Sequence, residues 1–125
     1  MEVKISTKEK FHVLGIKETE LPAIMADSLQ NVCYKFLNMD VKNLAVNIEE
    51  VKKIDKIAAE TFLTIQEKFY ENNSSFVICC VNDNLKNELD EWELLDVMNI
   101  TPTESEAGDI IQMEEIEREI MNDEL

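Results

Sequence analysis

The chain has 125 residues, 45% of them hydrophobic, and carries 27 acidic against 12 basic side chains, a net charge of −15. This length and apolar content predict one globular domain over residues 1–125 and exclude bulk disorder. No apolar run reaches the roughly 20 residues that cross a bilayer, and residues 1–4 do not lead into a signal peptide. We therefore expect a cytoplasmic protein without membrane insertion.

The negative charge is concentrated in the last third of the chain. Residues 1–82 hold 12 acids and 10 bases, whereas residues 83–125 hold 15 acids against Lys86 and Arg118 alone. Nucleic acid and anionic membranes are poor partners for such a surface, since binding to phosphates needs clustered Lys and Arg. The acidic third is either a solvated helical face that maintains solubility or a docking surface for a basic partner.

A β-hairpin and a helix are predicted first. Alternating apolar residues over 3–16 indicate the hairpin, and His12 in its second strand is expected to be half-buried or at the surface. From Leu21 the apolar period becomes helical, and Pro22 suits the first turn of a helix. The predicted inward stripe of this helix consists of Leu21, Ile24, Met25, Ser28, Leu29, Val32, Cys33 and Phe36.

Strands and helices then alternate. Residues 43–49 predict a third strand, and Asp55 can cap a second helix that runs to Phe69. Residues 76–81 are apolar at every position, which is typical of a central strand. The Asn82-Asp83-Asn84 turn can cap a third helix, and a short fifth strand is predicted over 95–103, around Val97-Met98-Asn99-Ile100.

The last predicted helix covers residues 104–121, and we expect the few residues after it to be frayed. Its expected inward side consists of Ile110, Met113, Ile116 and Ile120. The resulting order, β-β-α-β-α-β-α-β-α, predicts an α/β fold with four helices and a mixed sheet of about five strands.

No pattern in the chain indicates catalysis, a cofactor or a metal. With two glycines far apart, the phosphate-binding loops are missing, and a single histidine cannot supply an imidazole-based zinc site. Cys33 stands alone and Cys79 and Cys80 are neighbours, so reduced, mostly buried thiols are expected. An enzyme would need a pocket in which His12 or Cys79 lies beside a carboxylate with a shifted pKa.

The segment Val51-Lys52-Lys53-Ile54-Asp55-Lys56-Ile57-Ala58-Ala59-Glu60 follows the strand at 43–48. It resembles the STAS domain family, named for sulphate transporters and anti-sigma-factor antagonists, in which a strand precedes an Ile/Val-Asp-Ser/Thr-Ser-Gly-Leu-like motif at a helix N-terminus. The strand at 76–81, the turn at 82–85 and the Pro/Thr-containing turn at 100–107 resemble the later half of that family. The resemblance covers most of the chain, is most specific from about residue 41 onward, and implies a STAS-like fold.

The main departure is Lys56, which stands where the family carries its phosphorylatable serine or threonine. Lysine has no hydroxyl to accept phosphate, so the resemblance implies loss of the phosphoserine switch. A cation at a helix N-terminus is also disfavoured by about 0.3–1 kcal/mol, unless Glu60 or a partner's acid offsets it. Phosphate on Thr61 or Thr64 would contradict the loss of the switch.

By resemblance, the loop before the second helix and its first turn form a partner-binding edge. The residues carried over to that edge are Asp55, Lys56, Ile57 and Glu60, with Asn82, Asp83 and Asn84 on the neighbouring loop. The implied function is non-catalytic regulation in signal transduction, by binding a protein such as an anti-sigma factor kinase or a related regulator. Asp55 could equally be a plain helix cap that needs no partner.

A second hypothesis is a homo-oligomerising scaffold module with a different partner. The apolar residues of the last helix would then pair two copies, unless they are needed to cover the sheet.

Overall fold

The computed structural model describes residues 1–123 and contains seven strands in two sheets. In chain order they are β1 (Val3–Thr7), β2 (His12–Ile16), β3 (Glu20–Leu21), β4 (Leu44–Asn47), β5 (Lys53–Ile54), β6 (Phe76–Cys79) and β7 (Ile100–Thr101). The main sheet has the order β1-β2-β4-β6-β7, and β3 pairs with β5 in a second, two-stranded sheet. The five-stranded sheet confirms the prediction, whereas the β3–β5 pair was not predicted.

The main sheet is mixed, as the element order predicted. β1 and β2 form the antiparallel hairpin, while β2, β4, β6 and β7 run parallel. The register places Leu14, Val46 and Ile78 side by side on adjacent strands. These three side chains are at most 1% exposed, so an apolar row crosses the middle of the sheet on one face.

Four helices cover the two faces of this sheet. They are α1 (Ala26–Tyr34), α2 (Lys56–Glu71), α3 (Asp83–Glu91) and α4 (Glu104–Asp123), and short 3₁₀ turns at Ala23–Met25 and Lys35–Asn38 flank α1. Side chains of α1, α2 and α3 share the larger apolar core with one face of the sheet. α4 packs on the opposite face through Ala107 and Ile111.

Small residues let α4 approach its face of the sheet closely. Ala45 is fully buried beneath the helix, and Gly108 packs against the ring of Phe11. A Cβ on Gly108 would lie 2.9 Å from Phe11 Cζ, closer than carbon atoms normally approach. Glycine at position 108 is therefore set by packing.

The first helix differs from its predicted stripe. Leu21 lies in β3, and Met25 N–H donates to the Pro22 carbonyl in the 3₁₀ turn. Because a 3₁₀ turn has three residues per turn, it shifts the phase of the side chains before α1 begins. Ile24 is consequently 88% exposed and Ser28 is exposed as well, which corrects the prediction for both residues.

His12 is buried, so its predicted surface or half-buried position was wrong. β2 has a strand on each side and helices on both faces, and such a strand buries both of its faces. The imidazole lies 3.0 Å from the Thr7 hydroxyl through Nδ1 and 3.0 Å from the Val41 carbonyl through Nε2. Its ring also contacts Phe36, with the centroids 5.0 Å apart.

The fifth strand of the main sheet is shorter than predicted. β7 contains Ile100 and Thr101 only, because the Gln66 side chain occupies the backbone groups that a longer strand would pair. Gln66 donates to the Val97 carbonyl and accepts from Asn99 N–H. The central strand β6 likewise ends at Cys79, two residues early, and Cys80 adopts a left-handed backbone with φ of 64°.

The inward side of α4 was predicted wrongly. The residues expected to face the sheet are 36–60% exposed; they are Ile110, Met113, Ile116 and Ile120. The helix extends to Asp123 rather than Met121. The predicted fraying falls on residues 124 and 125, which lie outside the described part of the chain.

Candidate functional site

The candidate site is the edge formed by β5 and the first turn of α2. β5 pairs with β3, and the chain then turns at Asp55, whose extended backbone precedes the first helical residue, Lys56. Asp55 N–H donates to the Leu21 carbonyl, and Ala59 N–H donates to the Asp55 carbonyl. The beginning of α2 is therefore fixed to the small sheet through backbone hydrogen bonds.

Asp55 occupies the N-cap position as predicted, but its side chain does not cap α2. One carboxylate oxygen, Oδ2, accepts a hydrogen bond of 2.8 Å from Ala23 N–H. Ala23 follows Pro22 and has no intrahelical partner for this N–H. The carboxylate thus connects two segments 32 residues apart in sequence and holds the 3₁₀ turn against α2.

The Asn82 loop lies beside this edge because β4 and β6 are adjacent parallel strands. Asn82 Oδ1 accepts from Leu85 N–H at 2.9 Å, which confirms the predicted cap of α3. Its amide nitrogen donates to the Val51 carbonyl in the loop that leads to β5. Asp83 and Asn84 are exposed on the first turn of α3, and within residues 1–123 no hydrogen bond joins them to α2.

The surface of the edge combines apolar and basic side chains. Ile57 is 58% exposed on the first turn of α2, beside the exposed Lys56 and Glu60. Lys52 and Lys53 are exposed on the preceding segment. Since the first turn of α2 carries no acidic residue, the helix dipole adds positive potential to that of the lysines.

These lysines have no ion-pair partner in the part of the chain that the structure describes. Among salt bridges within residues 1–123, none includes Lys52, Lys53 or Lys56, so Glu60 does not offset Lys56 through a direct contact. The nearest pair in sequence joins Lys17 to Glu50 at 2.7 Å, and that hydrogen bond raises the pKa of Lys17.

The two threonine hydroxyls of α2 bond to the helix itself. Thr61 Oγ1 donates to the Ile57 carbonyl at 2.8 Å, and Thr64 Oγ1 donates to the Glu60 carbonyl at 3.3 Å. Both threonines lie in the body of the helix, one and two turns beyond Lys56.

Sequence reasoning missed Ile24 as a site residue. The hydrogen bond from Ala23 to Asp55 places Ile24 at the beginning of α2, and its side chain is the most exposed large apolar group of the described residues. Its spacing fits the helical stripe, so only knowledge of the 3₁₀ turn could have identified it. Pro22 indicates that a helical segment begins nearby but does not distinguish a 3₁₀ turn from an α-helix.

The buried thiols lie outside this edge. Burial raises the pKa values of the Cys33 and Cys79 thiols, so both stay protonated at neutral pH. Across residues 1–123, no three acidic, histidine or cysteine side chains converge as metal ligands would. In the same range, no helix combines the length and apolarity that a membrane span requires.

The family model of the STAS domain matches residues 4–107 of the chain. The chain belongs to the STAS domain family. Apart from Val3, its residues 4–107 include all seven strands of both sheets and helices α1 to α3, so most of α4 lies beyond the matched region.

Solved structures agree with this assignment of the fold. An anti-sigma factor antagonist from Mycobacterium paratuberculosis is similar at 12% identity with a TM-score of 0.75, covering 89% of this chain and 93% of that one. An RsbS variant from Moorella thermoacetica is similar at 16% identity with a TM-score of 0.73, covering 90% of this chain and 96% of that one. A sulfate transporter family protein from Wolinella succinogenes is similar at 14% identity with a TM-score of 0.72, covering 87% of this chain and 90% of that one. A search of curated proteins finds no match.

Proposed function

We propose that this STAS domain, taken as one domain over residues 1–125, is a non-catalytic regulator in the cytoplasm that binds another protein. The observation that carries the proposal is the exposed, fixed edge at the beginning of α2. Ile24 and Ile57 are both more than half exposed there, and exposed apolar groups beside charged ones are typical of protein-binding surfaces. Anti-sigma factor antagonists among the similar structures make a related regulator the first partner to test.

Asp55 holds this edge together in the proposed function, while other residues make the contacts. Its carboxylate is engaged by Ala23 N–H, so we assign it a positioning role. The proposed contact residues are Lys56, Ile57 and Glu60, with Asn82, Asp83 and Asn84 at the margin. Because the lysines of this edge form no salt bridge within residues 1–123, the surface that meets them should carry carboxylates.

The proposed regulator lacks the phosphoserine switch of its family. Lys56 is the first residue of α2 and directly follows Asp55, which is where the family motif places its hydroxyl. A phosphorylated residue there would add a charge of about −1.5 to −2 at neutral pH, whereas Lys56 carries a permanent positive charge. Binding at this edge would therefore be constitutive.

Incubation with an anti-sigma factor kinase of the same genome, with and without ATP, tests this proposal. We expect retention of the kinase in a pull-down in both conditions, and no phosphate on the intact protein by mass spectrometry. The Lys56→Ser variant, which supplies the missing hydroxyl, should gain one phosphate and release the kinase when ATP is present.

Two surface variants locate the contact. Ile57→Gln should weaken kinase binding by roughly tenfold, as expected when a central apolar contact is lost. Val97→Gln is the matched control, since Val97 is 53% exposed and lies away from α2's first turn. Phosphate on Thr61 or Thr64 of the wild-type protein would overturn the loss of the switch, and equal binding by both variants would overturn the assigned edge.

The second candidate is a homo-oligomerising scaffold module, and the exposed apolar residues of α4 favour it. They are not needed to cover the sheet, because they point away from it. Light scattering at two protein concentrations and two salt concentrations tests this candidate. A monomeric mass in every condition would exclude it.

A further inference from the structure

The outward face of α4 carries an apolar stripe that no other element between residues 1 and 123 covers. The stripe consists of Ile110, Met113, Ile116, Ile120 and Met121, whose side chains are 36–66% exposed. These residues are spaced at i, i+3, i+6, i+10 and i+11, so they lie along one side of the helix. We call this set the outer stripe.

The inner face of α4 becomes polar beyond Ile111, the reverse of a usual amphipathic helix. Tyr70 Oη donates to Glu114 at 2.8 Å, and Arg118 bonds to Glu115 and to the Ser75 hydroxyl at 2.8 and 2.9 Å. The second half of the helix is thus held by hydrogen bonds to the end of α2 and to Ser75, the residue before β6. The outer stripe is not required for this packing, so its apolar character needs another explanation.

Acidic side chains share the outward face with the stripe. Glu106, Asp109 and Glu117 are exposed and lie four residues from Ile110, Met113 and Met121, respectively. The helix as a whole holds eight acids and one base over 104–123, a net charge of −7. Among the salt bridges of the described residues, those on α4 use Glu115 and Glu119, which leaves the outward acids to meet solvent or a partner.

Charge decides which occupant suits this face. A second copy would bring another helix of net charge −7 against the first, and such like charges repel at close range. A helix with apolar residues on one side and lysine or arginine on its flanks would bury the stripe and pair the acids. We propose that the outer stripe and its flanking acids dock a basic amphipathic helix of a partner protein.

The size of the surface sets the expected affinity. Residues 110–121 span about 16 Å, roughly three helical turns, which is a small contact for a protein interface. The two methionines suit such a surface because their flexible side chains adapt to different partners. We therefore expect a dissociation constant in the low micromolar range, weakened by salt.

This inference goes beyond the proposed function and does not depend on it. The outer stripe lies on the helix that covers the opposite face of the sheet from α2, and mostly outside the matched family region. Loss of binding at one surface should leave binding at the other unchanged.

The test uses the full chain and a synthetic helical peptide of about 18 residues built from Leu and Lys, with a Leu and Glu peptide of the same pattern as its counterpart. We expect 1:1 binding of the Leu/Lys peptide by calorimetry at about 50 mM salt and no binding of the Leu/Glu peptide. Protein mass by sedimentation, measured without peptide, should be that of a monomer.

A charge-neutral triple variant separates the stripe from general electrostatic attraction. Met113→Gln, Ile116→Gln and Ile120→Gln together should weaken peptide binding at least tenfold. The matched control replaces three exposed apolar residues outside both surfaces, Ile5→Gln, Met39→Gln and Val97→Gln, and should change affinity less than about twofold. Circular dichroism should show that both variants keep the wild-type helix content.

Three results would overturn the proposal. One is absence of binding by the Leu/Lys peptide, and another is equal weakening by the stripe and control variants, which would indicate attraction by charge alone. The third is a concentration-dependent dimer that the stripe variant abolishes, since the face would then belong to a second copy.

Discussion

The two faces of the main sheet are stabilised by different kinds of interaction. On the face covered by α1, α2 and α3, large apolar side chains such as Leu14, Ile78 and Phe62 are almost completely buried. On the α4 face the apolar contact is small, and Asn43, Glu115 and Arg118 hold the far half of the helix through hydrogen bonds. The first face therefore supplies most of the free energy of folding, and the second fixes the position of one helix.

The largest effect is expected on the three-helix face. Phe62→Ala removes a ring that is 1% exposed and leaves a cavity in the main core. We expect the free energy of unfolding to fall by about 3–5 kcal/mol in urea titrations. Leu63→Ala, at a partly buried neighbouring position, should cost clearly less, and equal losses would contradict the assignment of Phe62 to the core.

Asn43→Ala tests the polar face. The Asn43 side chain is 5% exposed; it accepts from Ser75 N–H at 2.8 Å and donates to the Lys10 carbonyl at 3.0 Å. Its loss leaves two backbone groups without these partners. We therefore expect the free energy of unfolding to fall by about 2 kcal/mol in the same titration. The exposed Asn84→Ala serves as the control and should cost under about 0.5 kcal/mol. A similar loss of unfolding free energy in both variants would contradict the structural role assigned to Asn43.

Gly108→Ala measures how closely α4 is packed. An alanine within a helix normally stabilises it by about 0.8–1 kcal/mol relative to glycine. Contact of the new Cβ with Phe11 should outweigh this gain, so that the free energy of unfolding falls by about 1 kcal/mol. Ser105→Ala, at an exposed position of the same helix, should be neutral or stabilising. Stabilisation by Gly108→Ala would show that the helix can move away from Phe11.

The smallest effect is a pH dependence on the α4 face. The hydrogen bond from Arg118 lowers the pKa of Glu115 below its usual value, and the hydrogen bond from the Asn43 amide adds a smaller effect in the same direction. Partial burial opposes both. A carboxylate with a lowered folded-state pKa stabilises the protein above its unfolded-state pKa, and this contribution is lost as pH falls through the folded-state value. The difference in unfolding free energy between wild type and Glu115→Gln should therefore narrow from pH 6 towards pH 3. A constant difference would contradict the ionic role of Glu115.

The contrast between the faces also explains what the sequence predicts well. Alternating apolar residues at 43–49 and the apolar run at 76–81 predict β4 and β6, because strands covered on both sides leave a strong pattern. Asn82 before Leu85 predicts the beginning of α3, since a side-chain cap is a local interaction. The order of elements and the mixed sheet are confirmed for this reason.

Contacts that join distant segments were not predictable in the same way. The isoleucines of α4 repeat with a helical period, but the period does not show which side faces the sheet. The side is decided by hydrogen bonds of Glu114 and Glu115 to residues 44 and 72 positions away. At the candidate site, Asp55 was placed correctly on the chain, whereas its bond to Ala23 accompanies the unpredicted β3–β5 pair and the exposure of Ile24 follows from the unpredicted 3₁₀ turn.

The hydrogen bond between Asp55 and Ala23 also affects how quickly a partner can associate. Because both segments are already joined in the unbound protein, the surface needs no ordering step before encounter, and little conformational entropy is lost on contact. Stopped-flow mixing should give a single phase whose rate rises linearly with partner concentration, while Asp55→Ala should introduce a rate that levels off at high concentration.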